Sequence, residues 1–531
     1  VTIFIRGILL DVSLQQNFQI IDDRLQNKNV VVDFEITGER SVAVTCQARD
    51  EGIHTIKVVI ENHDETDYFE YYGSGERYRA LNHRGFILPM TSTNRWRNKG
   101  VGSYKPVSFV MSTQGYGIWV DNFVPGTFDL HATDRSQFVI RYQVNELRLV
   151  FLAGPKMTDM LDEFTRLTGR PRVPPKWAFG LWKSRNVHEH QDSVMLDIEN
   201  HRKYDIPANV IVLDSPWEYG YNDFRINRQQ FPNPDVMFDR IEELGFYTCL
   251  WLTPFINSKN AQDMVGIDSA SSNYDEAVQK SVLITDKNGD VATMKWWKGE
   301  GGLIDFTNPK AVDWYHRQLQ KTQAYRAKAF KCDDGEGDLV PDAKVFDGTS
   351  VAAMKNKYSL LYNQATQDYV DKYLNGDGVL LVRSGYTGNQ QYPFTWAADN
   401  SADFSYSDGL PTAIIATQNM GMSGVPMYGA DIAGYFGTQT KELFLRWTQF
   451  SAFTPFFQIH MISNLGPWDF DQETLEIFRR YAKLRIQLFP YLYEAVLESN
   501  RNGMPVVRPM ALAFQDEIGR ASCRERVCHR V

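Results

Sequence analysis

The sequence predicts a multidomain protein: an N-terminal antiparallel β-sandwich followed by a (β/α)8 TIM barrel with insertions. Three observations carry that expectation. Residues 1–155 hold short alternating and β-branched runs, spaced as the strands of a sandwich are. From Trp177 onward, strand-like runs alternate with amphipathic stretches, the pattern of repeated βα units. Between these two regions Pro171, Pro174 and Pro175 mark a boundary.

The elements follow in order. In the sandwich region the clearest strands are Ser41-Val42-Ala43-Val44-Thr45, residues 55–60 and residues 146–151. Residues 156–176 form a linker with a helix over 157–169. The barrel is expected over 177–490, its strands being runs 178–182, 210–213, 247–252, 329–332, 379–382, 393–396, 424–428 and 453–459. Eight runs permit a closed barrel. Residues 236–244 carry apolar side chains at helical spacing and end at Gly245, a suitable C′ residue; 311–328 and 354–374 are similar. Residues 257–300 form an insertion, with Asn288-Gly289 as a hairpin signal.

Residues 491–516 are expected to begin a truncated C-terminal β domain. Residues 517–531 are expected to be a non-native tail, because 517–527 resemble the translation of a sequencing-library adapter. The start at Val1, with no Met and no secretory apolar segment, points to a missing N-terminus, so no localisation is assigned.

Composition bounds the function. A chain of 531 residues, 43% hydrophobic, can bury a large core and form more than one domain. No apolar stretch approaches the roughly 20 residues that a membrane-spanning helix needs. A net charge of −9 argues against a nucleic-acid partner, since phosphate binding relies on clustered Lys and Arg. The aromatic content suits sugar stacking and core packing equally. Cys46, Cys249 and Cys332 are isolated and Cys523 and Cys528 fall in the tail; no spacing fits a zinc site or a disulfide framework. Cys249 and Cys332 are expected to be small buried hydrophobes. The acidic run Asp333, Asp334, Glu336, Asp338 fails calcium-loop spacing, with Leu339 where Gly is required, and the run from Asp286 fails with Val291 there. No metal and no cofactor are assigned.

Two carboxylates stand out: Asp333, after Ala329-Phe330-Lys331-Cys332, and Asp399, after Phe394-Thr395-Trp396-Ala397-Ala398. Each closes an apolar run and precedes turn residues, as residues at the end of a barrel strand do. Glycoside hydrolysis needs such a pair, with carboxyls roughly 5–5.5 Å apart when configuration is retained. Taken alone, two strand-end acids fit a solvated or salt-bridged role as well. On a barrel, Asp214, Asp333, Arg383, Asp399 and His460 would all close their runs on one rim and converge on one pocket. His460 alone fits a packed core histidine.

The text around the two acids resembles the catalytic signatures of glycoside hydrolase family 31. Lys331-Cys332-Asp333-Asp334-Gly335-Glu336 is similar to that family's K-x-D-x-G-E strand and Trp396-Ala397-Ala398-Asp399 to its W-x-G-D strand. The resemblance implies Asp333 as nucleophile and Asp399 as acid/base. It extends to Tyr72-Gly73-Ser74-Gly75-Glu76-Arg77, Val212-Leu213-Asp214, Asp305-Phe306-Thr307-Asn308-Pro309, Arg383, Asp431-Ile432-Ala433-Gly434 and the run ending at His460. By the same resemblance Arg383 binds substrate, while Asp214 and His460 meet hydroxyls of the terminal sugar. Trp396 is expected to supply a wall, Trp297 a stacking face in a loop, and Glu336 support for the nucleophile strand. Tyr104 either reaches the pocket from the N-terminal domain or is an ordinary exposed loop aromatic.

Departures from the family pattern bear on substrate. Asp214-Ser215-Pro216-Trp217 lacks the second carboxylate of D-I-D, and with Lys331 it is more similar to the α-xylosidase branch. Asp334 replaces the apolar residue that usually follows the nucleophile; strand alternation predicts that it points away from Asp333. The resemblance implies a retaining exo-acting α-glycosidase that takes a terminal non-reducing α-linked xylose, glucose or related sugar from an oligosaccharide or glycoside. The alternatives are an α-transglycosylase, an α-galactosidase-type activity on the same scaffold, or a non-catalytic carbohydrate-binding relative, which would need one acid lost.

Overall fold

The computed structural model describes residues 30–49, 55–61, 69–94 and 100–515, together with the backbone of strands Thr2–Ile5, Ile8–Asp11, Gln19–Ile21 and Arg24–Gln26. The tail over 517–531 lies outside the described residues.

The N-terminal region is an antiparallel sandwich. One sheet runs in the order Gln19–Ile21, Arg24–Gln26, Val30–Gly38, Ser41–Ala48, Glu146–Ala153, Tyr116–Val120, Pro106–Ser112, Tyr71–Gly75; the other runs Ile56–Glu61, Gln137–Tyr142, Gly126–Leu130, Phe86–Met90. Alternation decides which side chains go between them. Leu88, Val110, Ile118, Phe128, Phe138 and Leu149 form one buried layer, the arrangement expected when period-2 strands bury one face each.

The second region is a parallel barrel of eight strands: β1 Trp182–Ser184, β2 Val210–Leu213, β3 Tyr247–Leu252, β4 Ala327–Cys332, β5 Val379–Val382, β6 Thr395–Trp396, β7 Tyr428–Gly429 and β8 Gln458–Ile459. From β1 to β7 each pairs in parallel with the next, and β8 pairs with β1. A parallel bridge between Asp431 and Gln458 closes the ring. Both faces of these strands are covered, so β2 is apolar at every position. Val210 and Val212 point to the barrel interior with Cys249, Ala329 and Leu381, while Ile211 and Leu213 pack outward under the helices.

Strand edges differ from the expected runs wherever proline intervenes. Residues Lys176–Phe179 form a 3-10 turn behind Pro175, so β1 begins only at Trp182. Runs 393–396, 424–428 and 453–459 shrink to two-residue strands, because Pro393, Pro426 and Pro455 have no N–H for the ladder. The expected β domain over 491–516 is not what the described residues show. Residues up to 502 continue the helix Gln472–Asn502, whose Leu475, Phe478, Ala482, Leu492 and Val496 are buried, and 503–515 hold only the short helix Met510–Ala513. The helix ends where Gly503 takes φ 75°. Gly245, at φ 73°, ends the helix Pro234–Glu243 in the same way.

The insertion after β3 is a small antiparallel sheet of Phe255–Asn260, Gly299–Leu303 and Met294–Trp296. Its Asn288-Gly289 turn lies inside a Thr285–Val291 bridge. The sandwich is docked on the barrel through polar contacts. Asn419 donates to the carbonyls of Arg77 and Ala80 at 2.9 and 2.8 Å, and the Gly75 amide donates to Ser423 Oγ at 2.7 Å. Among the described residues no helix is long and apolar enough to cross a membrane.

Candidate active site

The C-terminal ends of the barrel strands open into a cavity of about 640 Å³. Asp214, Trp297, Asp333, Glu336, Arg383, Trp396, Asp399 and His460 all line it. Asp214 follows β2, Asp333 follows β4 and Arg383 follows β5, whereas Asp399 lies three residues beyond β6 and His460 one beyond β8.

Asp333 is held on both oxygens. Its Oδ2 accepts from the Trp251 indole at 2.9 Å, and its Oδ1 lies 3.0 Å from Arg383 Nη1. Burial alone would raise its pKa, but the Arg383 guanidinium, the Lys331 ammonium and the indole N–H outweigh it and hold the carboxyl below the usual range. Asp333 is therefore ionised at neutral pH.

Asp334 does not point away. The strand ends at Cys332, and Asp334 itself adopts φ 54°, followed by Gly335 at 88° and Gly337 at 64°. A Cβ on Gly335 would meet Ser384 Oγ at 3.0 Å and Tyr362 at 3.1 Å, so this turn requires glycine for space as well as for dihedral. The turn breaks the alternation and brings Asp334 and Glu336 to the same guanidinium. Arg383 Nη2 donates to Asp334, and Arg383 Nε and Nη2 donate to Glu336 at 2.8 and 3.0 Å. Trp297, half exposed at the tip of a hairpin, donates to Asp334 Oδ2 at 3.1 Å. One cation thus serves three carboxylates. Burial first, then Asp333 and Glu336, push the Asp334 carboxyl up to about 7 against the pull of Arg383.

A second cation organises the opposite wall. Lys331 Nζ donates to Asp214 Oδ2 at 2.6 Å, lies 3.5 Å from His460 Nε2, and sits 5.1 Å from the centre of the Trp396 ring. Asp214, Asp431 and Asp333 raise its pKa above the ordinary value despite burial, so it stays charged. His460 is neutral, its pKa driven down by burial and by Lys331. With Nε2 facing an ammonium, the proton belongs on Nδ1, which meets Ser184 Oγ at 2.9 Å. Tyr435 stacks on the imidazole at 5.1 Å. Asp431, one of the motif residues, accepts from Gln458 at 2.6 Å and is pushed up to about 7, chiefly by burial.

Residues 171–495 match the glycosyl hydrolases family 31 TIM-barrel domain. The chain belongs to glycoside hydrolase family 31. Residues 15–129 match the N-terminal galactose mutarotase-like domain of family 31. Similar proteins include the alpha-xylosidase XylQ of Lactiplantibacillus pentosus, 32% identical over 467 residues that cover 84% of this chain and 58% of that protein. The alpha-glucosidase 2 of Bacillus thermoamyloliquefaciens is 29% identical over 475 residues, 86% of this chain and 58% of that one. The chain therefore spans little more than half the length of these relatives. A family 31 dextranase of Flavobacterium johnsoniae shares the fold, with a TM-score of 0.81 at 24% identity over 93% of this chain and 63% of that one.

Within this family 31 chain, several residues at the site escaped sequence reasoning. Trp251 is one, although it pairs in register with Lys331 on the neighbouring strand; nothing in a single strand shows which neighbour it will meet. Lys331 drew notice only as a mark of the α-xylosidase branch. Tyr104 is buried behind Arg383, its ring 5.5 Å from the guanidinium carbon, and is neither a cavity residue nor an exposed one.

Proposed function

We propose that this chain carries out retaining exo-acting α-glycoside cleavage, with Asp333 as nucleophile and Asp399 as acid/base. The observation that carries the reading is the shared cavity, in which an Asp held ionised by Arg383, Lys331 and Trp251 is joined by a second, half-buried Asp from another strand end. In the first step Asp333 bonds to the anomeric carbon while the proton of Asp399 goes to the leaving oxygen. In the second, Asp399 takes a proton from water, whose oxygen displaces Asp333 and restores both groups. Asp214, Lys331 and His460 offer acceptor and donor groups to the hydroxyls of the sugar, and Trp396 gives it a wall. Trp297 offers an indole face at the mouth of the cavity.

The substrate we favour is an oligosaccharide or glycoside ending in an α-linked xylose, with α-linked glucose second. The single carboxylate in Asp214-Ser215-Pro216-Trp217, engaged by Lys331, supports this order, as does likeness to an alpha-xylosidase. Paired assays on aryl α-xyloside and aryl α-glucoside test it, followed by trapping with a 5-fluoro glycosyl fluoride and peptide mapping. The expected adduct is on the peptide that contains Asp333. Turnover with the label on another residue would overturn the assignment, and a higher kcat/KM on the glucoside would reverse the sugar order.

A further inference from the structure

We propose that Lys105, a residue of the N-terminal sandwich, is a positioning residue that holds in one frame the strand end that leads to Asp399 and the Arg383 backbone whose guanidinium pairs with Asp333. The inference rests on the reading of Asp333 and Asp399 given above. It adds that the sandwich belongs to the catalytic apparatus.

An ammonium has three N–H bonds, and here each has a partner. Lys105 Nζ donates to the Arg383 carbonyl at 2.7 Å and to the Trp396 carbonyl at 2.9 Å, and pairs with Glu76 Oε1 at 2.8 Å. The side chains of Lys105 and Glu76 are 1% and 0% exposed. Arg383 follows β5 and carries the guanidinium that grips Asp333; Trp396 ends β6, three residues before Asp399. Glu76 adds a third strand, accepting from the Tyr428 hydroxyl of β7 at 2.8 Å and from the Tyr104 amide at 3.1 Å. A single buried pair from the sandwich thus touches three consecutive strand ends.

The choice of chemistry argues for position over stability. A buried ion pair loses hydration that its mutual attraction recovers only in part, and a well-packed apolar pair of similar volume is often as stable. What the ammonium supplies is direction: three bonds at set angles, two of them to backbone carbonyls that no apolar group would orient. Small errors matter here, because a displacement of about 1 Å at a catalytic group costs on the order of a hundredfold in rate.

The test removes both charges together, so that neither is left buried alone: the double variant Glu76→Gln/Lys105→Met in the otherwise unchanged chain. The expected result is a cooperative melt within about 3 °C of the parent, kcat lower by about tenfold to a hundredfold, and KM changed by less than about threefold. A second reading needs no turnover. With 5-fluorotryptophan incorporated and the Trp251 signal assigned by Trp251→Phe, its 19F shift follows the ionisation of Asp333, and the double variant should move that midpoint upward as Arg383 loosens. If the parent cleaves no aryl α-glycoside, the proposed function fails and the fluorine titration alone judges Lys105. A double variant with kcat within about twofold and a superimposable titration would overturn the inference. Loss of the cooperative melt would overturn it too, since the pair would then be carrying stability.

Discussion

Replacing Asp334 with asparagine tests whether three carboxylates compete for one guanidinium. In the folded protein burial, Asp333 and Glu336 push this carboxyl up to about 7 against Arg383; its ordinary value is 3.8. Because the folded value is the higher one, folding takes up a proton between those two pH values. The wild-type carboxyl therefore costs nothing below about pH 4 and weighs against folding increasingly as pH rises toward 7. At about 1.4 kcal/mol per pH unit, the gap from 3.8 to 7 amounts to about 4 kcal/mol at pH 8 and under half of that at pH 5. Asparagine keeps an oxygen for Arg383 and Trp297, and the lost attraction to Arg383 is already contained in the net shift. The variant should then gain about 2–4 kcal/mol of unfolding free energy at pH 8 and clearly less at pH 5. Guanidinium denaturation of both proteins at the two pH values measures this. A gain of the same size at both, or a loss at pH 8, would refute the shared-cation account.

Three further outcomes follow from the proposed roles. Asp333→Ala should lower turnover by at least about four orders of magnitude in a protein that still melts cooperatively, though at a lower temperature, and activity near wild type would remove the nucleophile assignment. Asp399→Ala should retain more activity on substrates with good leaving groups and recover rate when azide is added; an absence of both effects counts against the acid/base role. Lys331→Met takes away a cation that lowers the Asp333 pKa and holds Asp214. The acidic limb of its kcat/KM profile should therefore move to higher pH with a raised KM, and an unmoved limb would show that Arg383 alone keeps Asp333 ionised.

Most of the architecture was legible because periodicity survives translation into structure. The change from alternating strands to fully apolar strands such as 210–213 marks the change from a sheet with one buried face to one with two. Helices showed through spacing and through their stops, as at Gly245. What failed were boundaries governed by the backbone rather than by side-chain pattern. Prolines at 393, 426 and 455 shortened strands that look longer as apolar runs, and the helix Gln472–Asn502 runs through the domain boundary expected at 490/491. The Asp305–Pro309 motif sits away from the cavity lining, and its Asn308 caps the helix Pro309–Gln320.

At the site, the strand-closing residues, with Trp297 and Glu336, could be placed near one cavity from the sequence, whereas the contacts that reach between them could not. Strand-end position is a one-dimensional property, whereas a guanidinium shared by Asp333, Asp334 and Glu336, or an indole aimed at the next strand, depends on register and on local dihedrals. Asp334 shows the difference. Alternation is valid only while the chain stays extended, and two glycines with positive φ within three residues end that condition. The cost of the resulting crowding is a carboxyl raised to about 7 beside the proposed nucleophile. The two walls carry separate cations. Arg383 on one side and Lys331 on the other keep Asp333 between two positive charges. On this arrangement the charge of the proposed nucleophile is held by the two cations and the Trp251 indole, while the Asp334 beside it carries the raised pKa.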